Sequence, residues 1–218
     1  MRNIILFCLT VILYSGCSFK EPANSSQYKM SSTFSSYTNN FLSDNNALAK
    51  NDLKQAIKYA KTNADLNQLA TIYLGECALN ISVGIDDKCK KYKDIEELID
   101  NTILNSYYNL ITLRINKEEI DLLPEAYKNF TIYLNTNQFN KAYNEILEMD
   151  TISSLLISAT LLKDKLTTYQ IDEIIEIASF NGYKKSVIFW LNELKNRTDN
   201  KIEKEIIKRK IIILESKN

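Results

Sequence analysis

Apolar residues recur three and four positions apart along most of this chain. Leu66, Leu69, Ala70, Tyr73, Leu74, Cys77, Ala78 and Ile81 form one stripe, which predicts a helix over 65–82. Gly84 stands behind it as a stop, and Asp86 or Asp87 as the next N-cap. Ile152, Leu155, Leu156 and Ala159 make a second stripe. Ile171, Ile174, Ile175 and Ala178 make a third, and Val187, Trp190, Leu191 and Leu194 a fourth. The run from Ile211 to Leu214 is β-prone in isolation, but it continues the helical phase of Ile202, Ile206 and Ile207. With no alternating run bounded by turns, the predicted fold class is all-α.

Two N-terminal segments break the helical period. Ile4 to Tyr14 is an uncharged apolar stretch behind Arg2. It is too short to span a bilayer and reads as the h-region of an export signal. Ser18 to Thr33 is polar, Ser-rich and contains Pro22, so it reads as a short flexible tether with a reach of roughly 20–25 Å. The expected organisation is a signal over 1–16, a tether over 17–33 and a helical domain over 34–218.

The junction Ser15-Gly16-Cys17 resembles the lipobox of bacterial lipoproteins. The resemblance implies cleavage before Cys17, acylation of Cys17 with palmitate-like chains, and membrane attachment through that N-terminal lipid. Ser18 follows the cysteine, which in this family implies the outer membrane, facing the periplasm, over the inner membrane.

Within the helical part a turn-like pattern returns. Asn51 to Ile57, Asn137 to Tyr143 and Asn181 to Val187 each carry a polar or Gly turn, a large apolar residue, two polar residues and a small residue. Lys91 to Ile95 is a poorer copy. Leu53, Tyr92, Phe139 and Tyr183 are spaced by 39, 47 and 44 positions, a period found in helix-pair arrays. The pattern resembles the turn between the two helices of tetratricopeptide (TPR) repeats, as Ala70, Tyr73, Leu74 and Gly75 resemble part of a first-helix signature. What this implies is an array of antiparallel helix pairs, a TPR-like α-solenoid that binds other proteins.

Composition narrows the function. The 27 Lys and Arg balance the 27 Asp and Glu, and losing Arg2 with the signal leaves a side-chain balance of −1. That is no electrostatic footprint for nucleic acid. With 0 histidines, the commonest general base and most transition-metal sites are absent. Gly75, Gly84 and Gly182, the glycines beyond the signal, cannot make a phosphate-cradling loop. The expectation is a protein that is not an enzyme and has no cofactor.

Cys77 and Cys89 remain once Cys8 leaves with the signal and Cys17 carries lipid. They flank the Gly84 turn between two predicted helices, and an exported chain favours a disulfide between them. No metal site is expected, because two thiolates alone do not complete a tetrahedron. Tyr73, Tyr107, Tyr108, Tyr127 and Tyr133 are candidates for a partner-binding concave surface, although aromatics at helical spacing are more often core. The leading expectation is a lipid-anchored interaction scaffold or accessory factor for other envelope proteins. A carboxylate-dependent enzyme acting on cell-wall glycan and a small-ligand carrier are the alternatives.

Overall fold

The computed structural model describes residues 25–62 and 64–216. Among these, every regular element is helical. In chain order the α-helices are α1 (Ser25–Leu42), α2 (Asn46–Thr62), α3 (Leu66–Ser82), the single turn α4 (Lys90–Lys93), α5 (Thr102–Ile111), α6 (Glu125–Asn135), α7 (Phe139–Leu147), α8 (Ile152–Leu162), α9 (Thr168–Phe180), α10 (Lys184–Arg197) and α11 (Lys201–Glu215). Short 3₁₀ turns lie at Glu96–Leu98, Lys117–Leu122 and Lys163–Lys165. No described helix is long and apolar enough to cross a membrane.

Polar residues start the helices by satisfying their free N–H groups. The Asp65 carboxylate accepts from Asn67 N at 2.9 Å and Gln68 N at 3.2 Å to open α3. Asn101, Thr151 and Asn200 do the same for α5, α8 and α11. Thr167 and Gln170 form a reciprocal capping box on α9.

Five helix ends share one geometry. Behind α1, α3, α5, α6 and α9 a single residue takes positive φ: Asp44 (67°), Gly84 (77°), Leu113 (54°), Asn137 (57°) and Gly182 (69°). At each, the next N–H reaches back to a carbonyl five residues earlier: Asn45 to Asn40, Ile85 to Asn80, Arg114 to Asn109, Gln138 to Tyr133 and Tyr183 to Ala178. This is the Schellman pattern, which uses carbonyls the helix leaves open and reverses the chain within a few residues. Short reversals make sequence neighbours antiparallel, and α1 packs on α2, α2 on α3, α6 on α7, α7 on α8, α9 on α10 and α10 on α11.

Packing beyond neighbours closes the array. α8 buries Leu155, Leu156, Ile157, Ser158, Ala159 and Leu162, covering nearly its whole circumference. α3, α6, α7 and α9 surround it. At the other side, the turn after α1 clasps α10. Lys184 Nζ stands 3.2 Å from Asp44 Oδ2, Tyr183 OH donates to Asn39 Oδ1 at 2.9 Å, and Lys185 Nζ donates to Asn46 Oδ1 at 2.7 Å. Lys185 Nζ also sits 4.0 Å from the centre of the Phe41 ring. Burial raises the Asp44 carboxyl, but the Asn46 hydrogen bond and the Lys184 and Lys185 ammoniums outweigh it and hold its pKa below the ordinary value.

Two expectations need correction. The tether expected over 17–33 is helical in its second half, where α1 starts at Ser25. Met30, Phe34, Tyr37 and Phe41 continue a three-and-four stripe, and Met30 and Phe34 pack on the cluster of Ala56, Ala60, Leu69 and Ile72. That burial overrides the Ser-rich composition. The signal, Cys17 and the tether up to residue 24 lie outside the described residues. The first turn-like copy, 51–57, is also not a turn but the interior of α2. Asp52 is accommodated there by accepting from Asn40 Nδ2 at 2.8 Å. The copies at 137–143 and 181–187 do lie at turns, whereas 91–95 lies on α4 and the residues after it.

Ala56 and Ala142 are both fully buried where helices approach closely, while Asn140 on α7 is exposed. Replacing Ala56 or Ala142 by Phe should overpack the contact and cost about 1–3 kcal/mol in denaturant unfolding. Asn140→Phe should change stability by no more than roughly 0.5 kcal/mol. Equal losses at both kinds of site would show that the helix interfaces are assigned wrongly.

Candidate functional site

Three helix C-termini meet at one cleft of about 490 Å³. Ile81 and the segment from Gly84 to Lys88 come from the end of α3, Ile111 to Arg114 from the end of α5, and Thr160 and Leu161 from α8. The junction is fastened where Thr160 Oγ1 donates to the Ser82 carbonyl at 3.2 Å. The Schellman residues Gly84 and Leu113 thus form part of the wall itself. They expose two apolar lips, Ile85 at 48% and Leu113 at 59%.

Gly84 is fixed by two requirements. Its φ of 77° suits glycine, and a Cβ there would lie 2.5 Å from the Phe189 ring. Phe189 in turn packs edge-on against buried Trp190 with ring centres 5.0 Å apart. The loop is therefore seated against α10 as well as α8.

The polar groups of the cleft are mostly engaged with one another. Arg114 Nη2 donates to Tyr108 OH at 2.7 Å, and its guanidinium lies 5.2 Å from the centre of the same ring. Lys88 pairs with Asp86. Asp87 accepts from Asn80 Nδ2 at 2.7 Å through Oδ2 and from Cys89 N at 2.8 Å through Oδ1. Asp87 thus shapes the loop and does not cap a following helix. Cys89, at positive φ, is the residue preceding α4. Apolar lips around partly paired charges suit a side chain or small molecule carrying both kinds of surface.

On the other face of the same loop, Cys77 and Cys89 are disulfide-bonded, with Cα atoms 5.2 Å apart and 12 positions between them in sequence. Both are buried. Beside the bridge is a pocket of about 280 Å³ lined by Tyr73, Glu76, Asp87, Lys90, Lys91 and Asp94 as well as the two cysteines. Glu76 pairs with Lys91 at 2.6 Å and Asp94 with Lys90 at 2.6 Å. Burial lifts the Tyr37 hydroxyl well above its ordinary pKa, and the carboxylates of Glu76 and Asp87 add to the effect.

The five candidate tyrosines do not form one surface. Tyr108 and Tyr127 are core residues, which corrects their assignment as partner contacts: their rings are already covered. Tyr107 packs edge-on against Tyr127 at 5.2 Å, and Tyr127 OH donates to Ser154 Oγ at 2.9 Å. Burial raises the hydroxyl pKa of both. Tyr133 is half-buried, with Lys141 Nζ 5.4 Å from its ring centre. Tyr73 lines the smaller pocket. Sequence reasoning missed Ile85, Leu113, Arg114 and the anchoring role of Asp87. The Gly84 stop and the Asp86 or Asp87 cap expected behind it were the signals that pointed towards them.

No family model, no curated protein and no solved structure matches the chain.

Gly84 and Gly182 have similar positive φ, but nothing lies within 4 Å of a Cβ built on Gly182. Gly182→Ala should cost only the left-handed strain, about 1–2 kcal/mol. Gly84→Ala must also displace Phe189 and should lose at least ~1 kcal/mol more in urea titrations. Equal losses would mean that the loop does not rest on that ring. Reducing the Cys77–Cys89 bridge should remove roughly 2–3 kcal/mol and lower the unfolding temperature by several degrees. Free alkylation of both thiols in native, unreduced protein would contradict the bridge.

Proposed function

We propose that this is a lipid-anchored protein of the bacterial envelope that holds a partner protein at the cleft between the ends of α3, α5 and α8. The observation that carries the reading is the pair of exposed apolar lips, Ile85 and Leu113, on a rigid, multiply fastened wall. Exposed apolar residues rimmed by polar groups are a feature of protein–protein and ligand-binding sites. The anchor is supported by Ser15-Gly16-Cys17, and a disulfide between Cys77 and Cys89 suits an oxidising compartment. The protein would serve as an accessory factor in assembling or maintaining envelope structures, and its role would be to position a partner without transforming it.

A small-ligand carrier is the second reading, favoured by the cleft volume of about 490 Å³, which lies within the range of small-molecule sites.

Both parts can be tested in the native envelope. Labelled palmitate should enter the protein, and Cys17→Ser should abolish the label; persistent label would move the anchor elsewhere. A photo-crosslinking side chain at Leu113 should yield a discrete protein adduct, while the same group at exposed Asn140 should not. Leu113→Glu should weaken capture of that adduct's partner about tenfold, the loss of one anchor worth roughly 1.4 kcal/mol. Capture unchanged by Leu113→Glu would reject the cleft as the interface. Extraction of a small molecule with the purified protein, and no adduct, would favour the carrier.

A further inference from the structure

The disulfide hairpin brings together more than two cysteines. Cys77 Sγ, Cys89 Sγ and a carboxylate oxygen of Asp87 all lie within 4.8 Å of one another. The cysteines are buried and Asp87 is half-buried. Two thiolates do not complete a tetrahedral site, but two thiolates and a carboxylate leave one position for water.

From this geometry we propose that, once the disulfide is reduced, Cys77, Cys89 and Asp87 bind one thiophilic divalent cation of the zinc type. Four features converge on this site. Asp87 is already oriented, accepting from Asn80 Nδ2 and Cys89 N through different oxygens. A carboxylate offers about four lone-pair positions, so two remain for a metal. Such outer hydrogen bonds are what hold a ligating carboxylate in place. The sulfurs must separate from bonding distance to the about 3.8 Å spanned by two zinc–sulfur bonds at a tetrahedral centre, and the Asp87 oxygen, now within 4.8 Å of both, must stand about 3.6 Å from each. The pocket of about 280 Å³ beside them gives the cation a route and the water a place. Its lining carboxylates, Glu76, Asp87 and Asp94, outnumber the ammoniums of Lys90 and Lys91 by one, a balance that favours a cation.

The chemistry is a two-electron exchange followed by ligation. A dithiol reductant gives two electrons and two protons to the Cys77–Cys89 bond, closing to its own cyclic disulfide, and the bridge opens to two thiols. Metal binding then displaces two protons to solvent and forms two metal–sulfur bonds. Disulfide and metal are mutually exclusive clasps on the same hairpin. The site shares Asp87 with the wall of the partner cleft but requires neither the lipid anchor nor a bound partner.

The test uses the mature soluble chain, oxidised and reduced, with the reductant removed under anaerobic conditions, titrated with Co²⁺ and then Zn²⁺. Reduced protein should develop a sulfur-to-cobalt charge-transfer band at one metal per chain, which Zn²⁺ bleaches; oxidised protein should show none. Cys77→Ser should abolish the band. Asp87→Asn, whose oxygen can still accept from Cys89 N and whose NH2 can meet Asn80 once that amide is flipped, should keep a sulfur-to-cobalt band but bind at least about tenfold more weakly. Circular dichroism and melting accompany each sample, and Zn²⁺ should raise the melting temperature of the reduced chain, or restore its helicity where reduction has cost it. The proposal is overturned by absence of the band in reduced protein, by one metal per two chains, by binding equal in the oxidised form, by Asp87→Asn with unchanged affinity, or by no thermal response to Zn²⁺.

Discussion

The architecture depends on covering α8. A helix apolar on nearly every side has no face to give to water, so it must be surrounded. Here α3 closes it from far earlier in the chain, and α6, α7 and α9 from nearby. Local pairing alone would stack sequence neighbours in an open row. The demand of α8 pulls the N-terminal helices back over the later ones, and the clasp between Asp44 and the Lys184–Lys185 pair sits where that return is completed. The cleft is a by-product of the same demand, since the ends of α3, α5 and α8 come to one level where Thr160 meets Ser82.

The recurring helix ending supplies the reversals that make such covering feasible. Five helices end in the same hydrogen-bonded reversal, but glycine occupies the positive-φ position in only two of them, Gly84 and Gly182. Asp44 and Asn137 are polar residues that tolerate this conformation, whereas Leu113 is not. Its strain is accepted at the place where its side chain projects beside the cleft. Backbone strain held in the wall of a cleft fits the general tendency of such residues to gather at functional positions.

Much of the fold was legible in the apolar period. The stripes over 66–81, 152–159, 171–178 and 187–194 all lie on helices, and the β-prone 211–214 segment lies within α11. Periodicity reports which face is apolar, but not where the chain turns. Turns marked by Gly84, Gly182 or Asn137 could be read, whereas the reversals at Asp44 and Leu113 carry no glycine. The supposed turn at Asn51-Asp52 lies inside α2, where Asp52 accepts from Asn40, twelve residues earlier. Tyr108 and Tyr127 could not be told from surface rings for a related reason: a ring at helical spacing looks the same in sequence whether it faces a partner or a neighbouring helix. The convergence of Asp87 with Cys77 and Cys89 depends on a hairpin fold, which spacing suggests but side-chain directions decide.

The clasp between α1 and α10 also sets a timetable. Tyr183 and Asn39 are 144 positions apart, and Lys185 lies 139 beyond Asn46. At synthesis rates of about 5–20 residues per second, the first hairpin must wait roughly 7–28 s for the residues that seal it. Closing a contact across so much chain is slow and contributes late. The amino-terminal third therefore reaches its final packing only when the chain is nearly complete, and an unfinished chain keeps the surface of α1 open to whatever handles it in the meantime.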